Sequence, residues 1–297
     1  MTSVTPAPAG LLASVDLRFT CERPEQVFRH GEDTPLSQAI DEAVIALLGA
    51  NGLAETPDRS AIGVLGASQS GERHIFARIS RKFREHGIYA IDPVFFSKTN
   101  QFFPVFSACK SGNVVGPSSS LFMSASHSAE ILYFALLLIG RGHASHMIAV
   151  SYEEDCDDAA PDDGESRPLT GRFCAALLGP HDQARAGAPI LSSCRLGPYL
   201  SQGEERDRDL AALFQDLDDG LHLLLGSDRD RDTIARLTGA RLIHVAPDRL
   251  TGDARILPGL LRLLGPDPDG GQLGPGGSVH VVPPEQGNAL TLRYRLP

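Results

Sequence analysis

Apolar positions along this chain switch repeatedly between short continuous runs and helical spacing. "LLASVDLRF" (11–19) predicts a strand, and "LSQAIDEAVIALLGANG" (36–52) predicts a helix stopped by glycine. "SAIGVLGAS" (60–68) is a short apolar strand, and "GERHIFARISRKFREHG" (71–87) a basic amphipathic helix ending in glycine. A phenylalanine-rich segment follows at 94–106, and then a strand over 119–124 that leads into the apolar helix of "SAEILYFALLLIG". "ASHMIAVSYEED" (144–155) and "GRFCAALLG" (171–179) are two further strands. From 189 onward the run is strand (189–197), helix (206–220), strand (221–227), helix (230–239), strand (240–247), helix (252–265) and two closing strands (277–284 and 289–297).

The second half therefore reads βαβαβαββ, and the first half reads the same with longer connections. Strands this apolar are not solvent-facing, and the alternation predicts an α/β protein whose sheets are covered by helices. Two halves of one order, 1–188 and 189–297, suggest an internal duplication, although no sequence repeat links them. The helix after 126 is apolar nearly all round and should be central. Glu130 in its first turn is the exception, at an end where the helix dipole favours a carboxylate.

Composition narrows the function. Among 297 residues, 42% are hydrophobic and 22% charged, the balance of a soluble globular protein with a sizeable core. The net charge of −10, with no dense Lys/Arg block, argues against a nucleic-acid partner. An acidic carrier protein remains possible, because it needs only a local basic patch, and Arg73, Arg78, Arg81, Lys82 and Arg84 supply one. The simpler reading of that helix is a solvated face, and a contact with a partner subunit is a further alternative. The apolar run 131–139 is too short to span a bilayer, so no membrane partner is expected. No signal peptide is visible at the N-terminus, and the five cysteines lack CxxC spacing. Together these features point to a cytoplasmic protein with buried thiols and no metal or cofactor. "EEDCDDAAPDDGESR" (153–167) lacks the regular spacing of a calcium loop and reads as a solvated loop.

The candidate chemistry lies at "GPSSSLFMSASHSAEILYFALLLIGRG" (116–142), where a strand meets small residues and a buried helix. Ser126 stands at the strand–helix junction. Ser124 and Ser128 replace the glycines of a hydrolase nucleophile elbow, so Ser126 is either a catalytic serine or a helix cap. His127, His222 and His244 are candidate bases, but His127 and Ser126, as neighbours at a helix start, point in different directions, and His222 and His244 read better as structural histidines. "GVLGASQSG" lacks the lysine of a P-loop and the full GxGxxG pattern, which argues against nucleotide binding.

The stretch from Gly116 to Asp155 resembles the nucleophile region of the β-ketoacyl synthases of the thiolase fold. "RSAIGVLGASQSG" is similar to that family's early strand and glycine-rich turn, and "ARLIHVAPDRLTGDARILPGLLRLL" to its strand–loop–helix bearing a catalytic histidine. The resemblance implies two βαβαβαββ halves in an α-β-α-β-α layering, with the second half truncated. An active member needs a cysteine at a helix N-terminus and two histidines that stabilise an enolate. Carried over, Ser126 stands at the cysteine, Leu225 near the first histidine and Asp253 at the second, with Asp248 at the accompanying lysine. "PPEQGNALTL" replaces the glycine-rich loop before the last strand. A serine without a base is a poor nucleophile.

Family members that lost the cysteine but kept the fold are chain-length factors of type II polyketide synthases. The resemblance implies a catalytically incompetent subunit that pairs with an active ketosynthase, meets an acyl carrier protein through the complex and shapes the acyl tunnel. The alternative is an acyltransferase or hydrolase using Ser126. The strand carrying Ser120, Phe122 and Ser124 would then lie at the dimer axis. Phe95, Phe96, Phe102, Phe103 and Phe106 are either ordinary core or rings facing the interface and tunnel.

Overall fold

In chain order the elements are β1 (Ala9–Cys21), α1 (Pro35–Ala50), β2 (Ile62–Ser68), α2 (Arg73–His86), α3 (Pro93–Ser97), α4 (Phe103–Ser111), β3 (Ser118–Phe122) and α5 (His127–Gly140). They continue with β4 (His146–Asp155), β5 (Leu169–Pro180), β6 (Ile190–Leu200), α6 (Glu204–Phe214), β7 (Leu221–Leu225), β8 (Leu242–His244), α7 (Ile256–Leu264), β9 (Gly276–Val282) and β10 (Gly287–Arg295). The computed structural model describes residues 8–21, 34–68, 71–122, 127–155, 168–184, 188–214, 221–225, 233–234, 242–244, 256–264, 276–283 and 287–295. The helix expected over 230–239 falls mostly outside these residues.

The strands hydrogen-bond in the order β3-β2-β4-β5-β1-β6-β10-β9-β7-β8. Counted within each half, both sets of five have the order third, second, fourth, fifth, first. Their senses match as well: β2, β3 and β4 are parallel, as are β7, β8 and β9, while β5 and β10 run antiparallel to their neighbours. The duplication is thus one of topology, which the sequence pattern carries without any repeat of residues. Ala9 and Gly10 of β1 pair with Leu191 and Ile190 of β6, and this short seam joins the two sets into one ten-stranded sheet.

Side-chain alternation assigns the layers. Met147 and Ala149 of β4, Cys174 and Ala176 of β5, Val279 and Val281 of β9, and Leu290 and Leu292 of β10 share one core with α5 and α7. The opposite faces of β2, β4 and β5 carry Val64, Ile148, Val150, Phe173 and Leu177, which pack under α1 and α4. Leu200, Val282 and Ala289 pack under Leu210 and Phe214 of α6. The order of layers is helix, sheet, helix, sheet, helix. Each fully buried Leu or Ile in the central layer, such as Ile131, contributes about 1.5–3 kcal/mol relative to exposure. Among the described residues, no helix is long and apolar enough to cross a membrane.

Two local features position the site. Gly66 in β2 leaves room for Val105 of α4, because a Cβ at position 66 would overlap that side chain. Thr34 caps α1 by accepting from Ser37 N at 3.1 Å, with Pro35 opening the helix.

The structure corrects three expectations. α5 lies centrally, but only one side of it is fully buried; Tyr133, Phe134, Leu138 and Ile139 are half-buried. Its apolar character therefore exceeds what its own core covers. Glu153 and Glu154 are not part of a solvated loop: they continue β4, and both are buried. The strand pattern carries on through the carboxylates because their partners lie inside the protein. Cys174 and Cys194 are buried thiols, whereas Cys21 and Cys109 are only half-buried, and Cys156 lies outside the described residues.

Candidate functional site

β2, β3 and β4 are parallel, so their C-terminal ends open on one side of the sheet, where open α/β sheets collect their ligand sites. α5 starts on that side at His127, directly after β3. β3 and α5 thus form where expected, whereas the residues between them, Ser124 and Ser126 included, lie outside the described residues, as does Asp253. Leu225 closes β7 opposite His244 of β8 and Val282 of β9, the counterpart in the second set of the end of β2. His222 pairs with Val279 inside the sheet.

β3 is one end of the ten-stranded sheet and pairs with β2 alone among the described residues. Ser118 and Ser120 share the face toward α4, where Ser118 Oγ lies 3.2 Å from Cys109 Sγ. Ser120 Oγ is buried and has no hydrogen-bond partner among the described residues. Leu121 points the other way, against the central core.

The phenylalanine segment does not form one core helix. α3 and α4 break it, and Phe96 and Phe106 remain 56% and 54% exposed. Phe102 packs half-buried on the outer core, and Phe103 lies under the Lys98 ammonium, 5.7 Å from the ring centre. The side chains of Phe95 and Phe122 lie outside the described residues. Ordinary core packing therefore does not account for Phe96 and Phe106, whereas Phe102 does pack on the core.

Beside this segment lies a buried polar cluster that the sequence pattern did not single out. Ser68 at the end of β2 donates to Glu153 Oε1 at 3.2 Å, and Gly71 N donates to Ser68 Oγ at 2.7 Å. Thr34 donates to Glu72, and His74 Nδ1 bonds Glu154 Oε2 at short range. Glu72, Glu154 and Lys98 are all buried. Burial, reinforced by the nearby Glu154 charge, pushes the Glu72 carboxyl up to about 8. Burial also raises Glu154 and pushes His74 down to about 4. Both shifts oppose charge separation across the His74–Glu154 pair. Glu72 Oε2, Glu154 Oε1 and Lys98 Nζ have no hydrogen-bond partner among the described residues. No three His, Cys, Asp or Glu side chains there are arranged to hold a metal ion. The available signal was the unbroken strand pattern through "SYEED", which composition alone had marked as a loop.

One contact ties the two halves together at this edge. Asn288, at the start of β10, donates from Nδ2 to Glu130 Oε1 in the first turn of α5 at 2.8 Å. The segment "PPEQGN" thus ends beside the start of the candidate nucleophile helix.

This layered, duplicated fold, with α5 in the middle layer, is the thiolase-like fold of the β-ketoacyl synthases. The ishigamide ketosynthase/chain length factor is similar over 93% of this chain and 85% of its own, with a TM-score of 0.69 and 16% identity. A type II polyketide synthase acyl-carrier protein in complex with its ketosynthase bound to the hexaketide also matches. There the overlap is 85% of this chain and 81% of that one, with a TM-score of 0.62 and 12% identity. A β-ketoacyl synthase from Burkholderia phymatum matches over 88% and 82%, with a TM-score of 0.60 and 13% identity. No protein-family model and no curated protein matches the chain.

Proposed function

We propose that this chain is a catalytically incompetent ketosynthase-like subunit, a chain-length factor, that pairs with an active ketosynthase and shapes the tunnel for the growing acyl chain. The observation that carries the reading is β3: a sheet-end strand paired only with β2 among the described residues, with exposed Phe106 on the adjacent α4 and exposed Val115 just before the strand. Such an edge invites pairing with a partner strand. The ketosynthase/chain length factor and the carrier-protein complex among the similar structures support a ketosynthase partner and contact with an acyl carrier protein. Serine, leucine and aspartate at positions 126, 225 and 253 support the loss of condensation chemistry. On this reading the protein works in the cytoplasm, with 1–188 and 189–297 as its two halves.

The test is co-expression with a candidate ketosynthase, followed by native mass spectrometry. A one-to-one complex is expected. A chain that stays a folded monomer at micromolar concentration in the presence of that ketosynthase sinks the reading.

A further inference from the structure

β1 is paired along its whole length on one edge and hardly at all on the other. Toward β5 its ladder runs from Ala9 to Cys21. On the opposite edge, among the described residues, only Ala9 and Gly10 meet a strand, the start of β6. The stretch 13–21, which begins at the register shift after Leu11, is open on that side. Ala13, Val15 and Phe19 turn toward the core under α1, and Leu17 on the same face is 50% exposed. An apolar groove of about 340 Å³, lined by 11–15, by Ala46, Leu47 and Ala50 of α1 and by Ala188 and Pro189, lies along the start of the stretch. Ser14, Asp16, Arg18 and Thr20 stand on the other face, open to solvent. An open strand edge with an exposed leucine at its midpoint invites a further strand.

We infer that this edge takes the same edge of a second copy of the chain, antiparallel, about a two-fold axis at Leu17. The choice of occupant rests on self-complementarity. The stretch 13–21 maps onto itself when Leu17 faces the partner's Leu17. Val15 then faces the partner's Phe19, Ser14 the partner's Thr20, and Asp16 the partner's Arg18, so both charge pairs form at once. Centring the ladder on residue 16 sets Asp16 against the partner's Asp16, and centring it on residue 18 sets Arg18 against the partner's Arg18. Arg18 also gains from the contact. In the β5 ladder it stands directly opposite Arg172, whose guanidinium donates to Asp16 at 2.8 and 2.7 Å. Like charges set opposite each other are destabilising, and the partner's Asp16 offsets them. Charged side chains on an edge guard it against foreign strands; this pair admits its own copy. β3 lies four strands away in the sheet order, so the contact leaves the edge proposed for the ketosynthase free and does not depend on that reading.

The experiment uses the full chain alone and then its complex with a candidate ketosynthase. Sedimentation velocity at micromolar concentration should show self-association of the wild-type chain. Arg18→Asp, which sets carboxylates against each other, should weaken it by about tenfold or more. Leu17→Cys should cross-link to itself on mild oxidation, because facing residues of antiparallel strands lie within disulfide reach. Ser14→Cys and Thr20→Cys should not cross-link to themselves, whereas a mixture of the two chains should give the 14–20 link, read by peptide mass. In native mass spectrometry the wild-type complex with the ketosynthase should hold two copies of each subunit, and the Arg18→Asp complex one of each. A Leu17→Cys chain that folds and gives no 17–17 link overturns the inference even where the wild type is a dimer, because the dimer then uses another edge. Equal self-association of the wild type and Arg18→Asp overturns it as well. Should either variant fail to fold, the mixture of Ser14→Cys and Thr20→Cys chains decides: the 14–20 link supports the pairing, and its absence refutes it. Failure to pair with any ketosynthase sinks the subunit reading instead, and the measurements on the chain alone still decide whether β1 pairs with itself.

Discussion

Asn288 Nδ2 lies 2.8 Å from Glu130 Oε1, and this bond joins the first turn of α5 to the start of β10 across the two halves. Glu130 is almost fully buried, and losing the amide removes one of its hydrogen bonds. Asn288→Ala should cost about 1–3 kcal/mol, the range for an under-satisfied buried polar group. Asn288→Asp should cost more than Asn288→Ala, because it removes the amide donor and sets a second carboxyl against that of Glu130. Urea denaturation of the two variants checks this; equal costs would refute it.

The buried carboxyl cluster makes stability depend on pH. Glu72 holds its proton up to about 8 in the folded chain, against an ordinary carboxyl value of 4.5. The folded state therefore binds more protons than the unfolded state across that window, and stability falls as pH rises through it. His74 and His280, pushed down by burial from 6.5 to about 4, act in the opposite sense: their contribution is present above 6.5 and is lost as pH falls toward 4. The opposing slopes offset one another below 6.5. Between pH 6.5 and 8 the carboxyl effect dominates, and stability should drop by an amount on the order of a few kcal/mol. Glu72→Gln should flatten that drop. A urea midpoint that is constant from pH 6.5 to 8 in the wild type would contradict the assignment.

Exposure separates the roles of the phenylalanines. Phe173 is fully buried, and Phe173→Ala should cost about 3–5 kcal/mol. Phe96→Ser and Phe106→Ser, at half-exposed positions, should leave the isolated chain's unfolding midpoint nearly unchanged and weaken pairing with the ketosynthase. Phe102→Ala and Phe103→Ala complexes should release longer products if those rings line the tunnel. Native mass spectrometry reads the first effect, and product mass the second.

Ser126 should form no acyl-enzyme, because the residues that resemble the catalytic histidine positions are Leu225 and Asp253. Incubation with acyl carrier thioesters should give no covalent mass shift, and Ser126→Ala should leave the output of the reconstituted complex unchanged. A shift that vanishes in Ser126→Ala would promote the acyltransferase reading.

The periodicity of apolar residues alone determined the element order, because a strand buried on both faces and a helix buried on one leave different spacings whatever they pack against. It therefore yielded both βαβαβαββ runs, and with them the class of fold. It also placed a strand at β3 and an apolar helix at α5, since both are local features. Three things were decided only by the folded chain. The seam of Ala9 and Gly10 with Leu191 and Ile190 depends on strands some 180 residues apart meeting at their ends, and no local pattern encodes that meeting. The acidic run at 153–154 looked solvated because its partners, Ser68 and His74, lie 80 or more residues away in sequence and reach it only through the β2–β4 pairing. The fate of the phenylalanine segment was equally hidden. Burial is a property of what surrounds a side chain, and the same residue type is core at Phe173 and half-exposed at Phe106.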